Sequence, residues 1–126
     1  MIKAGIVAVS LLLVAGPLHA QTLVVDKQLA ATGKVLWSSK GCASCHTIGK
    51  GKVAAPDLNG LYERRSPEWV RSFLAEPDSI LDNDEAGKAL LKEWFGLRMP
   101  DFDLKEEEIE ALTHYIAQQQ QPAKKK

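Results

Sequence analysis

An all-α fold of about four helices is predicted for this chain, and three observations predict it. Apolar residues recur three and four positions apart in four separate stretches. Little of the chain alternates apolar and polar residues as a half-buried strand would. Directly after the first helical stretch stands Cys42-Ala43-Ser44-Cys45-His46. This C-x-x-C-H run reads as a c-type haem attachment site, so the helices have one covalently held group to wrap around.

The first helix is expected over Leu23 to Lys40 after a short lead, with Asp26 as N-cap and Leu29, Gly33, Leu36 and Trp37 at helical spacing. Glycine costs stability inside a helix, so Gly33 predicts close packing against another helix. Gly41 ends the helix. Thr47 to Gly60 is a loop rich in Gly, Lys and Pro. Ser66-Pro67-Glu68 is a helix start, with a capping hydroxyl, proline at the first helical position and then an acid. Trp69, Val70, Phe73 and Leu74 form the apolar face, and Pro77 is expected to stop the helix. A third helix is expected from about Asp84 to Phe95, with Leu90, Leu91, Trp94 and Phe95 inward and Gly96 as terminator. Leu97 to Phe102 is then a loop. The last helix is expected over about Lys105 to Gln119, with Glu106, Glu107 and Glu108 suited to its N-terminal dipole. Its start has two readings: a capping box of Asp103 with Glu106, or a hydrophobic staple of Leu104 with Ile109. Ile109, Leu112, Tyr115 and Ile116 make its buried stripe.

The spacing of the motif suits its chemistry. Two thiols on one turn can each add to a vinyl group on the same side of a porphyrin, and the next residue sets an imidazole under the iron. Three other readings compete. A redox dithiol belongs in a β-α-β context, which this chain lacks. A simple disulfide is one that export to an oxidising compartment would permit. A zinc site requires a second Cys pair, and the chain has only two cysteines.

A chain of 126 residues suits one domain. Lys3 followed by a mostly apolar run to Pro17, with Leu18-His19-Ala20 as a small-residue site, reads as a signal peptide over residues 1–20 that is cleaved after Ala20. The run is too short for a comfortable membrane span. The expected product is periplasmic, begins at Gln21 and has no stable membrane insertion. Residues 21–120 form the domain, and residues 121–126 are a basic polar tail. Charge is balanced, with 16 Lys and Arg against 16 Asp and Glu, which argues against a nucleic-acid partner.

The order of helix, C-x-x-C-H, Pro-x-Leu loop, two short helices, Met-Pro loop and amphipathic final helix resembles the monohaem class I cytochrome c family over nearly the whole mature chain. The resemblance implies the class I fold, with the helix of Gly33 and Trp37 packed on that of Leu112 and Tyr115. It implies one covalent haem c on Cys42 and Cys45, with His46 as proximal ligand. Pro56 matches the proline whose carbonyl accepts the imidazole N–H, and Leu58 matches an apolar residue packed on the haem. Met99-Pro100 matches the axial-methionine loop. Lys105 departs from the usual Ser or Thr cap, and the stretch from Trp69 to Trp94 is longer than in the smallest bacterial members.

Met99 is the one methionine of the mature chain, set in a loop before Pro100. With His46 it would give a six-coordinate iron, and thioether ligation raises the potential. His114 is the rival ligand, but its azimuth on the last helix differs from that of Leu112 and Tyr115, which predicts an exposed or satisfied histidine. A closed iron with no general acid–base constellation predicts a one-electron carrier between redox partner proteins rather than an enzyme. A haem-based gas sensor and a fixed electron-entry subunit are the alternatives. Lys34, Lys40, Lys50 and Lys52 are candidates to ring the haem edge. Tyr62, Arg64, Arg65 and Trp69 are candidates to meet its propionates.

Overall fold

Asp26 starts the first helix by accepting the backbone N–H groups of Gln28 and Leu29 at 2.8 and 3.0 Å. In the computed structural model, which describes residues 23–122, helix α1 then runs Lys27–Ser39. The stretch read as a signal peptide, Gln21 and the last four lysine-rich residues of the tail lie outside the described residues. Residues 23–26, expected to be helical, precede α1 as non-helical chain.

Gly41 takes a left-handed φ of 77° and turns the chain out of α1 into a 3₁₀ turn over Cys42–Ser44. The loop that follows reaches a short helix α2 (Leu61–Arg64). Helix α3 (Pro67–Ala75) begins as its sequence predicts, with the Ser66 hydroxyl accepting the Trp69 N–H at 3.1 Å.

Pro77 does not end the helical path. It occupies the first turn of a further helix, α4 (Pro77–Asn83), which the sequence pattern does not reveal. Proline lacks the N–H that a first-turn residue leaves unused, so it stops one helix and starts the next with equal ease. Helix α5 (Glu85–Glu93) follows, capped by the Asp84 carboxylate on the Gly87 N–H. Gly87 is what lets α5 lie on α4: a Cβ there would stand 2.0 Å from the Ile80 carbonyl oxygen.

Phe95 corrects another expectation. It is 97% exposed rather than inward, because its backbone turns left-handed (φ 55°) where α5 unwinds into Gly96. Helix α6 (Glu106–Gln118) starts from Lys105, whose N–H is accepted by the Glu108 carboxylate at 2.9 Å. A lysine side chain has no acceptor to complete a capping box. Leu104 packs against the core cluster that includes Ile109, which fits the staple reading, and Asp103 sits outside the helix.

The frame is closed by its first and last helices. A Cβ on Gly33 would lie 2.0 Å from the Ala111 carbonyl oxygen and 2.6 Å from the Tyr115 Cβ, so only glycine allows this approach. Trp37 lies beside Tyr115 with ring centroids 5.7 Å apart. Trp37, Val70, Leu74, Ile109, Leu112 and Ile116 form one buried cluster from α1, α3 and α6. His114 is buried, and its Nδ1 accepts the Asp26 N–H at 2.9 Å, tying the start of α1 to α6. It is therefore a satisfied histidine. Among the described residues there are six α-helices and no strand.

Candidate haem site

The attachment motif is folded tightly on itself. The Cys42 carbonyl accepts the N–H of Cys45 at 3.2 Å and of His46 at 3.0 Å. Cys42 is half-buried and Cys45 exposed, no disulfide joins them, and burial pushes the Cys42 thiol pKa up. The following loop then runs back along the motif. Ala55 donates to the Cys45 carbonyl and Leu58 to the Thr47 carbonyl, at 3.1 and 2.9 Å. The Asp57 carboxylate holds the loop from inside by accepting the N–H groups of Gly49, Gly51 and Asn59 at 2.7, 2.8 and 2.9 Å. Partial burial pulls the Asp57 pKa up, but these three donors outweigh it and the net shift is downward.

That return path sets the Pro56 carbonyl 2.8 Å from His46 Nδ1. A carbonyl only accepts, so Nδ1 carries the proton and Nε2 keeps its lone pair. Burial lowers the His46 pKa, against a smaller opposite pull from the Pro56 hydrogen bond. The neutral imidazole, which is the form that ligates a metal, is therefore favoured. Trp37 flanks the ring, with centroids 6.5 Å apart.

His46 faces a cavity of about 800 Å³. The motif and its loop contribute Cys42, Cys45, Pro56 and Leu58 to the lining. Helices α3 to α5 contribute Trp69, Val70, Phe73, Leu74, Leu81 and Leu90, with Trp94 at the end of α5. The loop before α6 contributes Met99 and Phe102, and α6 contributes Leu112 and Ile116. Cys42, Cys45, His46, Pro56, Leu58 and Met99, the residues assigned to haem attachment, ligation and packing, thus line one cavity, although His46 and Met99 lie far apart in the chain. His114 is not among its lining residues.

The cavity suits haem c in four respects. Both thiols stand on one turn beside an imidazole with a free Nε2. Its walls are largely apolar. Met99 supplies a thioether, half-buried against the core. And the Trp94 indole N–H is buried with no partner among the described residues, although a buried indole normally donates to an acceptor. A propionate oxygen at the cavity would serve as that acceptor.

Other groups were expected at the propionates. The Tyr62 hydroxyl donates instead to the Thr113 carbonyl at 2.9 Å, and burial raises its pKa. The Trp69 indole donates to Asp84 at 3.0 Å. Arg64 and Arg65 line the cavity, with Arg65 stacked over Trp69. From the sequence, Trp94 is only an inward core residue. The signal that could have found it is the need of any indole buried beside an apolar cavity for an acceptor. The four lysines divide: Lys40 pairs with Glu108 at 3.5 Å, Lys52 pairs with Glu93 and covers the Trp94 ring, and Lys34 and Lys50 are exposed.

Residues 30–120 match the family model for cytochrome c. The chain is 33% identical over 113 residues to a subunit of the nitric oxide reductase of Paracoccus denitrificans, covering 79% of this chain and 67% of that one. It is 27% identical over 94 residues to the corresponding nitric oxide reductase subunit of Cereibacter sphaeroides, covering 67% of this chain and 55% of that one. The chain therefore spans between about half and two thirds of these relatives' lengths. A cytochrome c from Rhodothermus marinus superposes with a TM-score of 0.70 at 27% identity, over 82% of this chain and 89% of that one. The cytochrome c domain of a Pseudomonas putida protein does so with a TM-score of 0.59 at 30% identity, over 68% of this chain and 85% of that one. The family match runs from within α1 to just past α6, the whole of the frame that surrounds the cavity, and the chain accordingly belongs to the cytochrome c family, electron-transfer proteins with covalently attached haem c.

Proposed function

We propose that this protein is a monohaem one-electron carrier whose haem c iron is ligated by His46 and Met99. The observation that carries the reading is that His46, with its tautomer set by the Pro56 carbonyl, and Met99 line the same apolar cavity. When bound, haem c supplies a ferric/ferrous couple. Cys42 and Cys45 hold it by thioether bonds. His46 would ligate the iron through Nε2, whose lone pair the Pro56 hydrogen bond on Nδ1 leaves available. A Met99 thioether on the iron would favour the ferrous state and raise the potential. Leu58, Val70, Leu74 and Leu112 would keep water from the metal, and Trp94 Nε1 would donate to a propionate. The only steps asked of the protein are to hold these groups still and to leave an edge of the haem within reach of a partner. It is not itself an enzyme in this reading.

The apolar N-terminal stretch is best explained as an export signal removed after Ala20, which gives a periplasmic protein without stable membrane insertion. No helix among the described residues is long and apolar enough to cross a membrane. Similarity to nitric oxide reductase subunits favours a second reading of the same chemistry, in which the chain is a fixed electron-entry component of a reductase rather than a free carrier. Co-purification with a larger complex would distinguish the two.

Absorption spectra of purified holoprotein in both redox states test the ligand set. The ferric protein should show the weak long-wavelength thioether–iron band, and the ferrous protein should resist CO at neutral pH. Met99→Ala should abolish the band, admit CO and lower the potential. A wild-type ferrous protein that takes up CO rapidly would favour a gas sensor and overturn the carrier.

A further inference from the structure

Met99 sits in a segment with almost no main-chain support. Among the described residues, no main-chain hydrogen bond joins Arg98 to Leu104 with the main chain elsewhere. The backbone enters the segment through two left-handed residues, Phe95 and Gly96, and leaves through a third, Asp103, with φ values of 55°, 81° and 49°. Met99 and Leu104 pack on the core. Arg98 reaches to α4, donating from one guanidinium nitrogen to Asp78 at 2.7 Å and from another to Asp82.

Asp78 and Asp82 are four residues apart and so share one face of α4. That helix is a firm support. Pro77 and Leu81 are buried, and Gly87 of α5 lies against its Ile80 carbonyl. One guanidinium fork spans both carboxylates, which a lysine ammonium would do poorly. An isolated surface ion pair contributes little to global stability. Here, however, the pair is the one polar link between the Met99 segment and a helix among the described residues, so its effect falls on opening of that segment rather than on unfolding.

We propose that Arg98 is a positioning residue for the distal ligand: by bridging Asp78 and Asp82 it holds the Met99 segment against α4 and keeps the sixth coordination position of the iron closed. This rests on the reading of Met99 as that ligand.

The test is the rate of CO uptake by ferrous holoprotein, followed with the long-wavelength ferric band, in wild type, Arg98→Ala, Arg98→Lys, the pair Asp78→Asn with Asp82→Asn, and Met99→Ala. Arg98→Ala and the paired Asp variant should each speed uptake by about tenfold, and their combination by no more than either alone, since coupled residues are not additive. Arg98→Lys should fall between wild type and Arg98→Ala. The thermal midpoint should move little, which a merely structural role would not predict. Raising the ionic strength should speed uptake by wild type but not by Arg98→Ala, a comparison that needs no acidic variant to fold. Uptake within about twofold of wild type in Arg98→Ala, beside a freely open Met99→Ala, would overturn the clasp and leave the ligand reading intact. Fast uptake in Arg98→Ala without any in the Asp pair would also overturn it. If Met99→Ala itself stays closed to CO, the ligand reading fails and the clasp falls with it.

Discussion

Around His46 the main chain is hydrogen-bonded at most residues, whereas around Met99 it is held by side chains alone. The loop after the motif is tied to it by Ala55 and Leu58, cross-braced by Asp57 and pinned to the end of α6, where Gln120 accepts the Gly60 N–H and donates to the Leu58 carbonyl. The segment carrying Met99 relies on apolar contacts of Met99 and Leu104 and on the reach of Arg98 to α4. The two regions divide the work accordingly. The motif side fixes the orientation of the His46 ring through its hydrogen bond to the Pro56 carbonyl. The methionine side, if Met99 ligates as proposed, would hold its ligand by contacts that a small change of packing or charge could release.

The largest expected effect is on the bonded side. Replacing Cys42 and Cys45 together with Ala should abolish retention of haem through a denaturing gel, because both thioether bonds are then lost. Haem still present in that gel would remove the basis of the contrast.

A smaller effect sharpens it. Trp37 is 9% exposed between His46 and Tyr115. Trp37→Ala should cost about 3–5 kcal/mol in denaturant unfolding. Leu104→Ala, at a half-buried position on the methionine side, should cost only about 1–2 kcal/mol. Equal losses would mean that the two sides are equally firm.

The smallest effect is a dependence on acid. The Asp84 carboxylate accepts the Trp69 indole N–H and the Gly87 N–H, which hold its pKa below the ordinary value of 3.8. A carboxylate depressed in the folded state stabilises the fold above its unfolded pKa and loses that contribution as pH falls through the folded one. Asp84→Ala should therefore melt below wild type at neutral pH, and the gap should narrow as pH falls through and below about 3.8. A gap that is the same across that range would show that the carboxylate charge is not what holds Trp69 and the start of α5.

The comparison also explains what was legible in the sequence. The motif side could be read because its signals are local: C-x-x-C-H, a proline ten residues on, and a cap at Asp26. Gly33 points to a close helix partner, and the Ala111 carbonyl is that partner. The methionine side is read less completely because its determinants are tertiary. Pro77 satisfies the rules for ending a helix and for starting one, so α4 is hidden. Phe95 fits the apolar period of α5, and only the left-handed turn at its end turns it outward. Arg98 pairs with carboxylates 16 and 20 residues earlier, a separation that has no periodicity to betray it. Trp94 is inward as its spacing predicts, but the unmet donor on its ring emerges only when its surroundings are known.

The contact of Gly33 with Ala111 has a consequence for how the chain folds. It joins the first helix to the last, so the chain from Gly33 to Ala111, most of the described residues, forms the loop that this contact closes. The entropy of closing such a loop is lost before the contact returns anything, and long-range pairing of this kind slows folding. Helix α1 is 13 residues long, marginal for a helix without tertiary support. It gains its partner only when α6 is also present to pack on Gly33. Until then the motif thiols, which follow α1 directly, stand on a chain with no closed frame around them and are open to whatever attaches the haem.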